Sequence, residues 1–85
     1  MADHTATDHQ KAIERLARLD DTERQLLEMI SAGNYDREIA DVLHVSSRTV
    51  KRRVADLLDT LGVDRRIEAA YLAGEAHLLD GQVDR

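Results

Sequence analysis

The chain has no cysteine, no proline, no phenylalanine and no tryptophan, and its only aromatic side chains are two tyrosines among 85 residues. Without cysteine there is neither a disulfide frame nor a thiolate metal site to hold a small fold together, and nothing points to an oxidising compartment. Without Phe or Trp the core has to be assembled from Leu, Ile, Val, Ala and Met packed at short range. The missing proline and the four glycines leave few residues of the kind that interrupt helices and turn strands, so a helical bundle is expected. No basic stretch followed by an apolar run opens the chain, and no apolar stretch approaches the roughly 20 residues of a membrane span. The expected location is therefore cytoplasmic. An 85-residue chain has room for one compact domain and none for a cleft with a supporting shell. No nucleophile and base, paired carboxylates or phosphate loop stand at a workable spacing, so the chain reads as a non-enzyme without a cofactor.

The net charge is −5, the wrong sign for a protein that approaches phosphates, but its distribution matters more than its sum. Arg48, Lys51, Arg52 and Arg53 fall together with no acid between them, while acids outnumber bases in the N-terminal quarter. The positive charge is concentrated on one short segment.

Residues 1–8 are polar and patternless and read as a frayed tail. Ala12, Ile13, Leu16 and Ala17 recur at helical spacing from about His9 to Arg18 and give a short amphipathic helix. Asp20-Asp21-Thr22-Glu23 has the layout of a capping box, so a second helix is expected over about 21–32, burying Leu26, Leu27, Met29 and Ile30 and stopping at Gly33. Asp36 is placed to cap a short third helix through Ile39, Ala40 and Leu43, and a tight break follows at His44-Val45. Ser46 then caps a longer helix whose Val50, Val54, Leu57, Leu58 and Leu61 share one face. That helix presents Thr49, Lys51, Arg52, Ala55, Asp56 and Asp59 on its other side. It stops at Gly62, with Val63 set to close over Leu58 in a Schellman arrangement. Asp64 is placed to cap a last core helix carrying Ile67, Ala70, Tyr71 and Gly74, and residues 80–85 again read as tail. The expected fold is all-α: a four-helix bundle with an extra short N-terminal helix. Its divisions are residues 1–18 for the tail and first helix, 19–79 for the domain, and 80–85 for the C-terminal tail.

A short helix, a turn of a few residues and a longer helix that is polar on one side and basic near its start make the layout of a helix-turn-helix. A helix of roughly 14 residues spans about 20 Å at 1.5 Å per residue, enough to lie in a major groove and place side chains against base edges. Its N-terminus also offers free backbone N–H groups to a phosphate oxygen.

Residues 19–76 resemble the LuxR/FixJ-type (GerE-like) helix-turn-helix of bacterial transcription regulators. The resemblance rests on Leu19 and Glu23 of the opening stretch, Gly33, Asp36 in the usual Asn place, and Glu38-Ile39-Ala40. It continues with Leu43, Val45-Ser46, Thr49-Val50-Lys51, Leu61-Gly62-Val63, Arg66 and Glu68-Ala69. It implies a four-helix domain whose third helix reads the major groove of double-stranded DNA and whose fourth pairs two copies on a two-fold site. Lys51, Arg52 and Ala55 then fall at base-facing positions, with Arg48, Thr49 and Arg37, in the stretch before Glu38, near phosphates. Arg52 is the first choice for a base contact, because a guanidinium binds guanine O6 and N7 together. Lys51 suits either a base or a phosphate. Leu72, Glu75, Ala76 and Leu79 are expected as exposed homodimer contacts, although whether Tyr71 and Leu72 are core or dimer surface stays open. Departures from the pattern are Asp20 and Thr22 near the start, Arg53 in place of a His, Thr60 in place of a Lys, and the acids Asp56 and Asp59. Each of those two acids faces or flanks the phosphate backbone and weakens binding. The implied relatives are short stand-alone members.

Other readings remain open beside this one. Most charge clusters are simply a solvated helix face, and Arg53, near the core edge, is expected to pack its stem and let its head snorkel. Glu38 reads as architectural and His44 as a solvated turn residue. His4 and His9 with Asp3 and Asp8 make a metal site only on paper, since a frayed tail does not hold ligands in geometry. The alternative function is a helix-turn-helix that has drifted acidic and docks on another regulator or on RNA polymerase, in the manner of sigma-factor region four.

Overall fold

The computed structural model describes the backbone of residues 2–83 and the side chains of residues 10–76. Among the described residues there are five helices and no strand: α1 (Ala2–Ala17), α2 (Asp21–Ser31), α3 (Asp36–Leu43), α4 (Ser47–Leu61) and α5 (Arg66–Val83). Their ends are set by short-range chemistry. Asp20 caps α2 by accepting from the Glu23 N–H at 2.8 Å, and Glu23 returns the favour by accepting from the Asp20 N–H at 3.0 Å. Two of the three interhelical stops that follow use a left-handed glycine, Gly33 at φ 86° and Gly62 at φ 75°. At Gly62 the Schellman pair is complete: the Gly62 N–H reaches the Asp59 carbonyl and the Val63 N–H reaches the Leu58 carbonyl. The third stop, at the end of α3, is made by His44, left-handed at φ 59° although it carries a Cβ.

Two expected caps are used differently. Asp36 is not the cap of α3 but its first helical residue; Tyr35 stands at the cap, and Glu38 accepts from its N–H at 2.7 Å. Asp36 is thereby left free to reach across the fold to Arg66. Asp64 does not cap α5 either: the helix starts at Arg66, one residue too late, and the Glu68 carboxylate holds the backbone N–H groups of both Asp64 and Arg65, at 3.1 and 2.8 Å. In both places a Glu three residues into the helix does the work with a longer arm than Asp has.

The core is aliphatic throughout. Ile39, Val50, Leu57 and Leu61 are its largest fully buried side chains, joined by Leu19, Leu26, Leu27 and Ile30. Burying a side chain of this kind contributes about 1.5–3 kcal/mol, and no single helix here is stable without it. α2 packs along α5, and α3 packs on α4. α1 lies across the C-terminal part of the bundle through buried Ala12 and half-buried Ile13 and Leu16. Its Arg15 donates to the Leu61 carbonyl at 3.4 Å, placing a cation on the negative end of α4.

Three further expectations are corrected. α1 starts at Ala2 and α5 continues to Val83, so the expected tails at 2–8 and 80–83 are helical. On α5, Ile67, expected on the core helix, is 70% exposed, and Tyr71, left open between core and dimer surface, is 68% exposed. Leu72, expected as an exposed dimer contact, is instead buried at 5%. The reason lies in α5 itself, which is apolar on more than one side: Ile67, Tyr71 and Gly74 make one helical stripe and Ala69, Leu72 and Ala76 another. The stripe with the small Ala69 faces α2, because a methyl lets the two helices approach closely.

Candidate nucleic-acid interface

The elements that build this surface are α3, the turn at His44-Val45 and α4, in the order brace, turn and display helix. Val50, Val54, Leu57 and Leu61 lock α4 to the core by one face, so the opposite face is presented without freedom to rotate. At its start, the Ser46 hydroxyl accepts from the Thr49 N–H at 3.1 Å and donates to the Thr49 hydroxyl at 3.0 Å. Ser46 thus satisfies one N-terminal donor and pins Thr49. The N–H groups of Ser47 and Arg48 precede the first intrahelical bond and face outward, free to meet an anion.

Arg48, Lys51, Arg52 and Ala55 are all exposed on α4, and Thr49 is half-buried. Arg48 and Arg52 stand one turn apart on the outermost ridge, Lys51 and Ala55 on one flank of it. Arg37 is exposed on α3. Arg53 and Asp56 turn to the other flank, where they line a shallow groove with Thr22 and Glu23 of α2 and Leu43 of α3. Of the six residues expected to meet DNA, five are thus exposed and Thr49 is half-buried, and no acid stands in the first turn of α4.

The expected dimer positions are dispersed. Leu72 is in the core, Glu75 and Ala76 are half-buried, and the side chain of Leu79 lies outside the described residues. The side chains of Asp3, His4, Asp8 and His9 also lie outside them. Among the described residues, no group of three or more His, Cys, Asp or Glu side chains gathers where a metal ion would sit, and no helix is long and apolar enough to cross a membrane.

Sequence reasoning gave Arg66 no role beyond its place in a pattern. In the structure its guanidinium joins the start of α5 to the start of α3, donating to the Asp36 carboxylate and, at 2.7 Å, to the Asn34 carbonyl. It positions the brace helix on which α4 rests. The signal in the sequence was an Arg in the first turn of one helix and an Asp in the first turn of another, and only the fold shows that the two starts meet.

An aliphatic bundle that clamps a short brace helix, turns tightly and displays a longer basic helix is a helix-turn-helix domain. Residues 17–73 match the bacterial regulatory proteins of the luxR family, also designated GerE, and the chain belongs to that family. It is 43% identical over 60 residues to the DNA-binding transcriptional activator DevR/DosR of Mycobacterium tuberculosis, covering 71% of this chain and 28% of the relative. It is 39% identical over 51 residues to the transcriptional regulatory protein DesR of Bacillus subtilis, covering 60% of this chain and 26% of that one. To the response regulator VraR of Staphylococcus aureus it is 32% identical over 69 residues, covering 81% and 33%. The matched part thus spans about a third or less of each of these relatives. The family's name describes regulatory proteins, and the names of DevR/DosR and DesR describe regulators of transcription.

Proposed function

We propose that this protein is a sequence-specific DNA-binding transcription regulator that reads the major groove with α4 and acts as a homodimer in the cytoplasm. The observation that carries the reading is the basic, acid-free N-terminal half of α4, displayed on a helix whose other face is buried. At 1.5 Å per residue α4 is about 22 Å long, which fits the major groove. Arg52 binds a guanine through O6 and N7, and Lys51 and Ala55 meet neighbouring base edges. Arg48, Thr49, Arg37 and the N–H groups at the start of α4 hold phosphates. The relatives' names as a DNA-binding activator and as transcriptional regulators support this reading. The homodimer forms through α5, on the stripe of Ile67 and Tyr71, the two large apolar side chains that α5 exposes. Glu75 flanks that stripe, while Ala76 falls on the opposite stripe with buried Leu72.

The test is binding to a pool of genomic duplex fragments at low and moderate salt, beside Arg52→Ala. Enriched fragments that share a motif, affinity falling steeply with salt, and selectivity relaxed by about 1–3 kcal/mol at one position in the variant are expected. A Tyr71→Asp variant that stays monomeric in sedimentation while folding normally locates the dimer contact. The exposed acids Asp56 and Asp59 and the net charge of −5 favour a second reading, docking on RNA polymerase or another regulator. No enrichment at low salt, with Arg52→Ala indistinguishable from the parent, selects that reading.

A further inference from the structure

α1 lies almost wholly ahead of residues 17–73, the part of the chain that matches the family. It is nevertheless fixed to the domain, and one of its anchors is the end of α4. Buried Ala12 and half-buried Ile13 and Leu16 seat it on the bundle, and Arg15 donates from Nη1 to the Leu61 carbonyl at 3.4 Å. The next residue, Gly62, leaves open the space that this guanidinium fills, since a Cβ there would collide with it.

The side of α1 turned away from the core is basic. Lys11, Arg15 and Arg18 are the only Lys and Arg of the first 23 residues, and spacings of four and three positions put them on one ridge, with Arg18 in the turn just past the helix. All three are exposed, and among the described residues none has an ion-pair partner. Glu14 is the one acid between Gln10 and Leu19. A guanidinium carries several donors and the Leu61 carbonyl engages one nitrogen of Arg15, so the rest of its fork is open.

The place matters as much as the charge. α4 is about 22 Å long and the major groove about 12 Å wide, so a helix with its N-terminal half at the bases carries its far end to the rim, where a phosphate strand runs. That far end alone suits phosphate poorly. The last carbonyls of α4 form the negative end of its dipole, its last turn has no base, and exposed Asp59 and Asp64 flank it. Arg15 lies on those carbonyls, with Lys11 and Arg18 about 4 to 6 Å to either side of it along the axis of α1. Resting on the DNA-binding reading above, we infer that Lys11, Arg15 and Arg18 form a second phosphate-binding surface, which holds the duplex backbone at the end of α4 opposite Arg48. It reads no base; it adds affinity and fixes the angle of α4 in the groove.

The experiment compares the parent protein, a Lys11→Gln, Arg18→Gln double variant and a charge-keeping Lys11→Arg, Arg18→Lys double variant on a site enriched from the genomic pool, over a salt series. Arg15 stays in place so that the contact of α1 with α4 is kept. Loss of two phosphate contacts is expected to lower the salt slope by about 1.8, so between about 50 and 200 mM salt the parent loses about twelvefold more affinity than the Gln variant. The charge-keeping variant retains the parent's slope, and all three proteins prefer the same bases. Ethylation of the site's phosphates one at a time is expected to reveal one or two whose modification weakens the parent and leaves the Gln variant unaffected. An unchanged slope, or no phosphate of that kind, overturns the inference alone and leaves the three side chains as a solvated face. A parent protein that selects no site at low salt overturns the DNA-binding reading and the inference with it.

Discussion

Replacing Asp36 by Ala removes the carboxylate end of the clamp that Arg66 makes between α5 and α3. The pair is partly buried, with side-chain exposures of 35% for Arg66 and 23% for Asp36. Exposed ion pairs contribute about 0.2–1 kcal/mol and hydrogen bonds to charged groups about 1.5–3. A pair between those limits is expected to contribute about 1–2 kcal/mol. The larger loss of about 3–5 kcal/mol seen when a buried charge is orphaned does not apply, because Arg66 keeps the Asn34 carbonyl and some solvent. For a domain of this size the melting temperature should fall by about 4–16 °C. Asp36 also favours the positive end of α3 by about 0.3–1 kcal/mol, so a double-mutant cycle with Arg66→Ala in urea unfolding is needed to isolate the pair. Its coupling energy should be about 1 kcal/mol. Weaker DNA binding with an unchanged salt slope is expected as well, since the clamp aims α3 without touching phosphate. Additive single effects, or an Asp36→Ala protein within about 0.3 kcal/mol of the parent, would refute the reasoning.

Ser46→Ala should destabilise the domain by about 0.5–2 kcal/mol in urea unfolding, since Ser46 both caps α4 and pins Thr49. His44→Gly should stabilise it by about 0.5–1 kcal/mol, because left-handed backbone strain exceeds the extra unfolded-state entropy of glycine; His44→Ala should show no gain. Gly62→Ala should cost about 1–2 kcal/mol in the same assay, from a positive φ and from a Cβ that would sit 2.4 Å from the Arg15 guanidinium nitrogen.

Much of the fold was legible from residue order. The capping box at Asp20 and Glu23, the stops at Gly33, His44 and Gly62, the Ser46 cap and the buried face of α4 all depend on groups within a few residues of each other. The candidate interface was legible for the same reason: once one face of α4 is apolar, helix geometry puts Arg48, Arg52 and Ala55 opposite it. The caps of α3 and α5 were misplaced because an Asp was sought at each cap, whereas each start is held from within the helix, by Glu38 on the Tyr35 N–H and by Glu68 on the Asp64 and Arg65 N–H groups.

Sequence alone therefore determined the helices, their stops and the charged face of α4, since those follow from interactions over one or two turns of chain. The tertiary structure decided which stripe of α5 turns inward, because its apolar residues lie on more than one side and only contact with α2 breaks the tie. It also decided what Arg66, Asp36 and Arg15 do. Their partners stand 30 or more positions away along the chain, and no local spacing carries information about which helix ends will meet once the aliphatic core has closed.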